Sequence, residues 1–198
     1  MDLDGILYLL FCVPCCLMEI YISKVKYSSS TSSKTASNDR ETFIFIWLIV
    51  TCSQVFSVSC ARLGYGSKII DKNSFIYYLW ISFNIILYLM GVSLRKQSIE
   101  QLGEWFTTVI RTDDNQQLID FGWYEKMRHP SYAGSLLYFL ALALLLNNWL
   151  SLFIAMIPIS LVFYYRIYIE EQVLKKHFGM KYEEYRQRVP HMIIPKVF

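Results

Sequence analysis

Residues 130–165 read PSYAGSLLYFLALALLLNNWLSLFIAMIPISLVFYY, 36 positions without one charged side chain. A single helix of that length would run about 54 Å, well past the roughly 30 Å of hydrocarbon in a bilayer. The pair Asn147-Asn148 sits near the middle and Trp149 follows, a polar turn with an interfacial aromatic beside it. The stretch therefore predicts two short antiparallel helices, roughly 132–147 and 149–166, the second kinked at Pro158. A hairpin brings its two outer ends together. Arg128-His129-Pro130-Ser131-Tyr132-Ala133-Gly134 at the entrance and Arg166-Ile167-Tyr168-Ile169-Glu170-Glu171 at the exit are then neighbours in space.

Upstream lie three more apolar segments: Gly5–Ile22, interrupted only by Glu19, and the charge-free runs Thr42–Ala61 and Ser74–Leu94. Together they predict an all-α fold, a polytopic membrane helix bundle of about five transmembrane helices. It ends in a helical hairpin and C-terminal helical segments around Gly179. Composition agrees: the 198 residues are 55% hydrophobic and 18% charged, where soluble domains carry about 25% charge. A net charge of +3 without a dense basic stripe excludes a nucleic-acid partner and makes the lipid bilayer the expected one. The Ser-rich segment Lys24–Arg40 reads as a polar loop.

Five crossings place residues 24–41, 95–131 and the C-terminal region on one side, with sixteen of the 19 Lys and Arg residues. Only Arg62, Lys68 and Lys72 fall opposite. The positive-inside rule puts the richer side, and the C-terminus, in the cytosol. The acidic start Met1-Asp2-Leu3-Asp4 lacks the positive flank of a secretory signal, so the first helix is expected to be retained. All five cysteines lie in the first two apolar segments; Cys12-x-x-Cys15 has no polar access and reads as membrane packing. No metal site is expected, because no His/Cys cluster has ligand spacing. Gly64-Tyr65-Gly66-Ser67 is no dinucleotide loop, lacking the strand and helix around it.

The residues able to carry chemistry gather on the predicted cytosolic side. Pro130 suits a first helical turn. The N–H groups after it, with the Ser131 and Tyr132 hydroxyls, form a donor-rich helix start suited to an anion. Arg166 and Glu170, four apart, share one helix face and read either as an interfacial ion pair or as a functional pair. His129, beside a proline, suits a cap as readily as a ligand.

Three motifs carry a resemblance. Arg128-His129-Pro130-Ser131-Tyr132-x-Gly134, Arg166-x-x-x-Glu170-Glu171 and Phe178-Gly179-x-x-Tyr182-x-x-Tyr185 resemble the isoprenylcysteine carboxyl methyltransferase family in its short, five-helix form. The likeness starts at Gly103-Glu104-Trp105-Phe106 and covers residues 103–198; the first hundred residues match in hydropathy only. Arg-His-Pro-x-Tyr alone is shared with phospholipid methyltransferases and sterol reductases, and the two later motifs narrow the choice. The resemblance implies a membrane-embedded enzyme that uses S-adenosyl-L-methionine to methylate the carboxylate of a prenylated protein or other lipophilic substrate. Residues 1–94 would form three N-terminal helices and 95–198 the cofactor- and substrate-binding part of one domain.

Carried over residue by residue, the cofactor contacts fall on Gln116, Gln117, Leu118, Ile119, Tyr124, His129, Pro130, Ser131, Tyr132 and Glu170. Arg166 falls on the substrate-binding arginine and is the expected catalytic-site residue, and Arg111 is a looser match to a further polar cofactor contact. The family's usual histidine is Gln116 here, which can still hydrogen-bond. Glu170 suits the cofactor's amino group and the helix start at Ser131 its carboxylate. The expected membrane is the endoplasmic reticulum in a eukaryote and the plasma membrane in a prokaryote. Two alternatives accompany this reading: a lipid N-methyltransferase or reductase of the wider superfamily, and a non-catalytic membrane protein retaining the fold.

Overall fold

The computed structural model describes residues 3–28, 36–106 and 116–194. Its elements are α1 (Leu3–Ser28), α2 (Ala36–Arg62), α3 (Phe75–Leu102), α4 (Pro130–Leu145), α5 (Trp149–Phe178) and α6 (Met180–Arg188), with 3-10 turns at Gly103–Trp105 and Gly122–Glu125. Four helices carry apolar spans long enough to cross a membrane: Leu3–Ile22, Ile44–Arg62, Phe75–Trp105 and Trp149–Phe178. At 16 residues, α4 is shorter, about 24 Å. The chain is an all-helical, multi-pass membrane protein.

The expected hairpin turn is present, and its asparagines do more than end a helix. Asn147 adopts a left-handed φ of 50°, which asparagine tolerates better than most residues. Its side-chain amide then pairs with both backbone groups of Ile70, accepting from N–H at 2.9 Å and donating to the carbonyl at 2.8 Å. Asn148 caps α5 by accepting from the Ser151 N–H and donates to the Tyr65 carbonyl. The two amides thus bond three backbone groups of the α2–α3 connection, at Tyr65 and Ile70.

α3 packs along α4, α2 along α5, and α1 against α4, with α4 and α5 together at the centre. Tyr138, Leu142 and Ile159 are fully buried there, joined by Ile46, Val50 and Tyr88. Outward-facing positions such as Leu10, Leu17, Phe56, Leu79 and Leu161 stay exposed, as lipid-facing side chains must.

Helix lengths depart from the apolar runs in one consistent way. α1 continues to Ser28, α2 begins at Ala36, α3 passes Leu94 to reach Leu102, and α5 passes Tyr165 to reach Phe178. Much of the polar loop expected at Lys24–Arg40 is therefore helical at its flanks, and Arg166–Glu171 belongs to the interior of α5. Hydropathy marks where a helix leaves lipid, whereas lysine, glutamine and glutamate continue it into water at little cost. α5 runs through Pro158 as one helix and stops at Gly179, whose φ is 56°.

Candidate active site

At the end of the bundle where α4 begins and α5 leaves the apolar region, the Arg128-His129-Pro130 segment is held by the C-terminal chain. Arg128 N–H donates to the His191 carbonyl at 2.9 Å and His129 N–H to the Met192 carbonyl at 2.8 Å. Arg128 Nη1 adds a bond to the Val189 carbonyl, and its Nε meets Glu171 Oε1 at 2.6 Å. His129 occupies the N-cap position of α4 but makes no capping bond with its ring. Nε2 instead lies 3.0 Å from the same Glu171 oxygen. An ionised carboxylate only accepts, so this nitrogen carries the hydrogen. Arg186 Nε stands 3.5 Å from the other oxygen. Glu171 is therefore the hub that ties α4, α5 and α6 together.

Above this hub lies a cavity of about 160 Å³, roughly ten times the space one water needs. Gln116, Gln117, Leu118 and Ile119 form one wall, and Tyr124, His129, Ser131 and Tyr132 another. Arg166 and Glu170 project from α5, with Tyr132 beside both. Tyr182 and Tyr185 of α6 line it as well. Apolar lining comes from Ile46, Trp47 and Val50 of α2, Phe163 of α5, and Trp105 and Phe106 after α3. Burial lifts Tyr124, Tyr182 and Tyr185 well above the ordinary phenol range, so all three hydroxyls keep their protons.

Ten of the eleven residues expected from sequence line this one cavity. Pro130 does not; it is buried beneath the helix start it initiates. Arg111 lies outside the described residues. Sequence reasoning passed over two charged groups that also line the cavity, Glu19 and Arg95. They form a buried ion pair: Arg95 Nη2 donates to Glu19 Oε2 at 2.7 Å and Nε to Oε1. Glu19 Oε1 also accepts from the Tyr138 hydroxyl, while Arg95 Nη1 donates to Ser131 Oγ at 2.8 Å. A single acid inside the otherwise charge-free run Gly5–Ile22 was the available signal, since such residues are kept in lipid only with a partner.

Comparison with known proteins gives this geometry a family. The phospholipid methyltransferase family model matches residues 79–181. Over 146 residues the chain is 33% identical to protein-S-isoprenylcysteine O-methyltransferase B of Arabidopsis thaliana, covering 72% of this chain and 74% of that protein. The chain belongs to the isoprenylcysteine O-methyltransferase family. Another relative is the protein-S-isoprenylcysteine O-methyltransferase of Schizosaccharomyces pombe, 34% identical over 103 residues, or 51% of this chain and 44% of that one. Among solved structures, that of the eukaryotic intramembrane Ras methyltransferase ICMT (isoprenylcysteine carboxyl methyltransferase) superposes with a TM-score of 0.57. At 22% identity it shows a shared fold, spanning 86% of this family member but 56% of the larger chain. The family match covers most of α3, all of α4 and α5 and the start of α6, including Arg166 and Glu170 of the cavity lining.

Proposed function

We propose that this family member transfers the methyl group of S-adenosyl-L-methionine to the terminal carboxylate of a prenylcysteine in a protein or peptide. The observation that carries the reading is one cavity with two characters. Arg166, Glu170 and the helix start at Ser131 line it together with apolar side chains of the membrane helices, Ile46, Trp47, Val50 and Phe163. A lipidated carboxylate needs both at once.

The residues present suit the donor. Glu170 is an acid for its amino group, the Ser131 helix start supplies N–H groups for its carboxylate, and Leu118, Leu174 and Phe178 offer apolar walls to its nucleoside. When bound, S-adenosyl-L-methionine supplies an electrophilic methyl. The acceptor carboxylate is already ionised at neutral pH, so the protein needs no general base. What it contributes is placement, worth roughly 7–11 kcal/mol in well-oriented reactions. Arg166 is assigned to hold the acceptor carboxylate, where a guanidinium can grip both oxygens. Gln116–Ile119, Tyr124, His129–Tyr132 and Glu170 are assigned to the donor. The whole chain acts as one unit, because α1 and α2 supply Glu19, Ile46, Trp47 and Val50 to the cavity. By the charge asymmetry, the Arg166–Glu171 end of α5 and the C-terminus face the cytosol, in the endoplasmic reticulum of a eukaryote or the plasma membrane of a prokaryote.

The test is chemical. Purified protein is given methyl-labelled donor and N-acetyl-S-farnesylcysteine, and the product is treated with base. A carboxyl methyl ester releases volatile labelled methanol, which is the expected result. Label retained through base treatment points to an N-methylated lipid, and no transfer to farnesylcysteine overturns the substrate assignment.

A further inference from the structure

Tyr182 and Tyr185 stand three residues apart on α6, both buried and both on the cavity wall. Their hydroxyls are in opposite circumstances. Tyr185 donates to the Tyr124 carbonyl at 2.7 Å. The hydroxyl of Tyr182, on a side chain only 1% exposed, has no hydrogen-bond partner among the described residues.

A buried hydroxyl without a partner is destabilising, and phenylalanine fills the same space without it. The apolar neighbours of Tyr182 are Leu118, Leu174 and Phe178, and the charged groups nearby, Glu170, Glu171 and Arg128, make no hydrogen bond to its hydroxyl. Yet the same side chain borders the cavity that holds Gln116, Gln117 and Glu170. A hydroxyl that no protein group satisfies, on a side chain bordering a ligand cavity, is accounted for by a ligand.

We propose that the Tyr182 hydroxyl is a binding group for the methyl donor, donating a hydrogen bond to a polar atom of S-adenosyl-L-methionine or its product. The inference rests on the cofactor reading given above and adds a residue to it. It also gives α6 a purpose: the helix lines the cavity and adds to the donor's hydrogen bonds. Glu171, through Arg128 and Arg186, holds that helix in place.

The experiment uses the full chain in detergent or nanodiscs, unaltered and as Tyr182→Phe and Tyr185→Phe. S-adenosylhomocysteine binding is measured by calorimetry, and thermal unfolding without ligand alongside it. Tyr182→Phe is expected to bind S-adenosylhomocysteine roughly tenfold more weakly, one hydrogen bond lost, while its ligand-free Tm stays level or rises. Tyr185→Phe is expected to lower the ligand-free Tm, because its hydroxyl holds the Tyr124 carbonyl in the fold. Equal affinity in Tyr182→Phe and the unaltered protein overturns the proposal. So does a weaker affinity accompanied by a lowered ligand-free Tm, which would make the oxygen part of the fold. If the unaltered protein fails to bind S-adenosylhomocysteine, the cofactor reading itself falls and takes this one with it.

Discussion

Arg166 is 4% exposed, inside a protein whose neighbouring surface is lipid. A guanidinium in that position cannot lose its charge, so it must be matched by anions and hydrogen-bond acceptors. With Glu170 one turn away and Tyr132 alongside, it faces the cavity rather than the lipid. Replacing it with alanine is expected to lower kcat/KM for farnesylcysteine methylation by about a hundredfold or more, as loss of a buried charge partner does. S-adenosylhomocysteine affinity should stay near that of the unaltered protein. Lysine keeps the charge but not the two-pronged grip, and should recover only part of the rate. Turnover unchanged in Arg166→Ala would remove Arg166 from the site. The two adjacent acids show what residue-level reading captures. Glu170 and Glu171 were indistinguishable in type, and helical spacing alone paired Glu170 with Arg166. That Glu171 turns instead to Arg128, His129 and Arg186 depends on where the C-terminal chain docks, which no local pattern encodes.

Among the helices, the contact that sets the site is the one between α3 and α4. Gly91 and Gly134 meet across it so closely that a Cβ added at Gly134 would lie 2.6 Å from the Arg95 nitrogen and 2.7 Å from the Gly91 carbonyl. Both are backbone atoms and cannot swing aside. Small residues let membrane helices approach this far, and the approach delivers Arg95 to Ser131. Gly134→Ala is therefore expected to force the helices apart, at a cost of about 1–3 kcal/mol. It should lower Tm in detergent and reduce methyl transfer by disturbing the start of α4. A variant with unaltered Tm and activity would show that the contact yields without consequence. At this scale the sequence was informative about the hairpin, because Asn147-Asn148 in an apolar run has few other uses. It was uninformative about helix ends, since polarity locates the membrane edge and says nothing of where the backbone stops coiling. Gly134 was visible as part of a motif, but its reason, a partner glycine 43 positions earlier, lies in the packing.

Across the whole molecule, the buried Glu19–Arg95 pair joins the first helix to the site in the chain's second half. Its side chains are 4% and 12% exposed, and Tyr138 and Ser131 complete it. Two acids tie the apolar span of α1, Glu19 here and Asp4 to Lys72 and Tyr77 near its start, so that span is fastened near both ends. Glu19 stood out in the sequence only as a flaw in an apolar run; its partner 76 positions away was not deducible, because many folds could place an arginine there. The pair's energetics give an unequal expectation for single and double replacements. Glu19→Ala leaves a guanidinium buried and the Tyr138 hydroxyl without its acceptor, a loss of about 3–5 kcal/mol. Replacing both, as Glu19→Met with Arg95→Met, removes the stranded charge and should restore most of that stability, since apolar substitutes for a buried pair are often neutral. Activity should not return with it, because the Arg95 bond to Ser131 is gone and the start of α4 loses its support. Thermal unfolding and farnesylcysteine methylation measured on both variants separate these outcomes. A double variant as active as the unaltered protein would mean that the pair serves only to bury its own charges, and that α1 reaches the site without contributing to it.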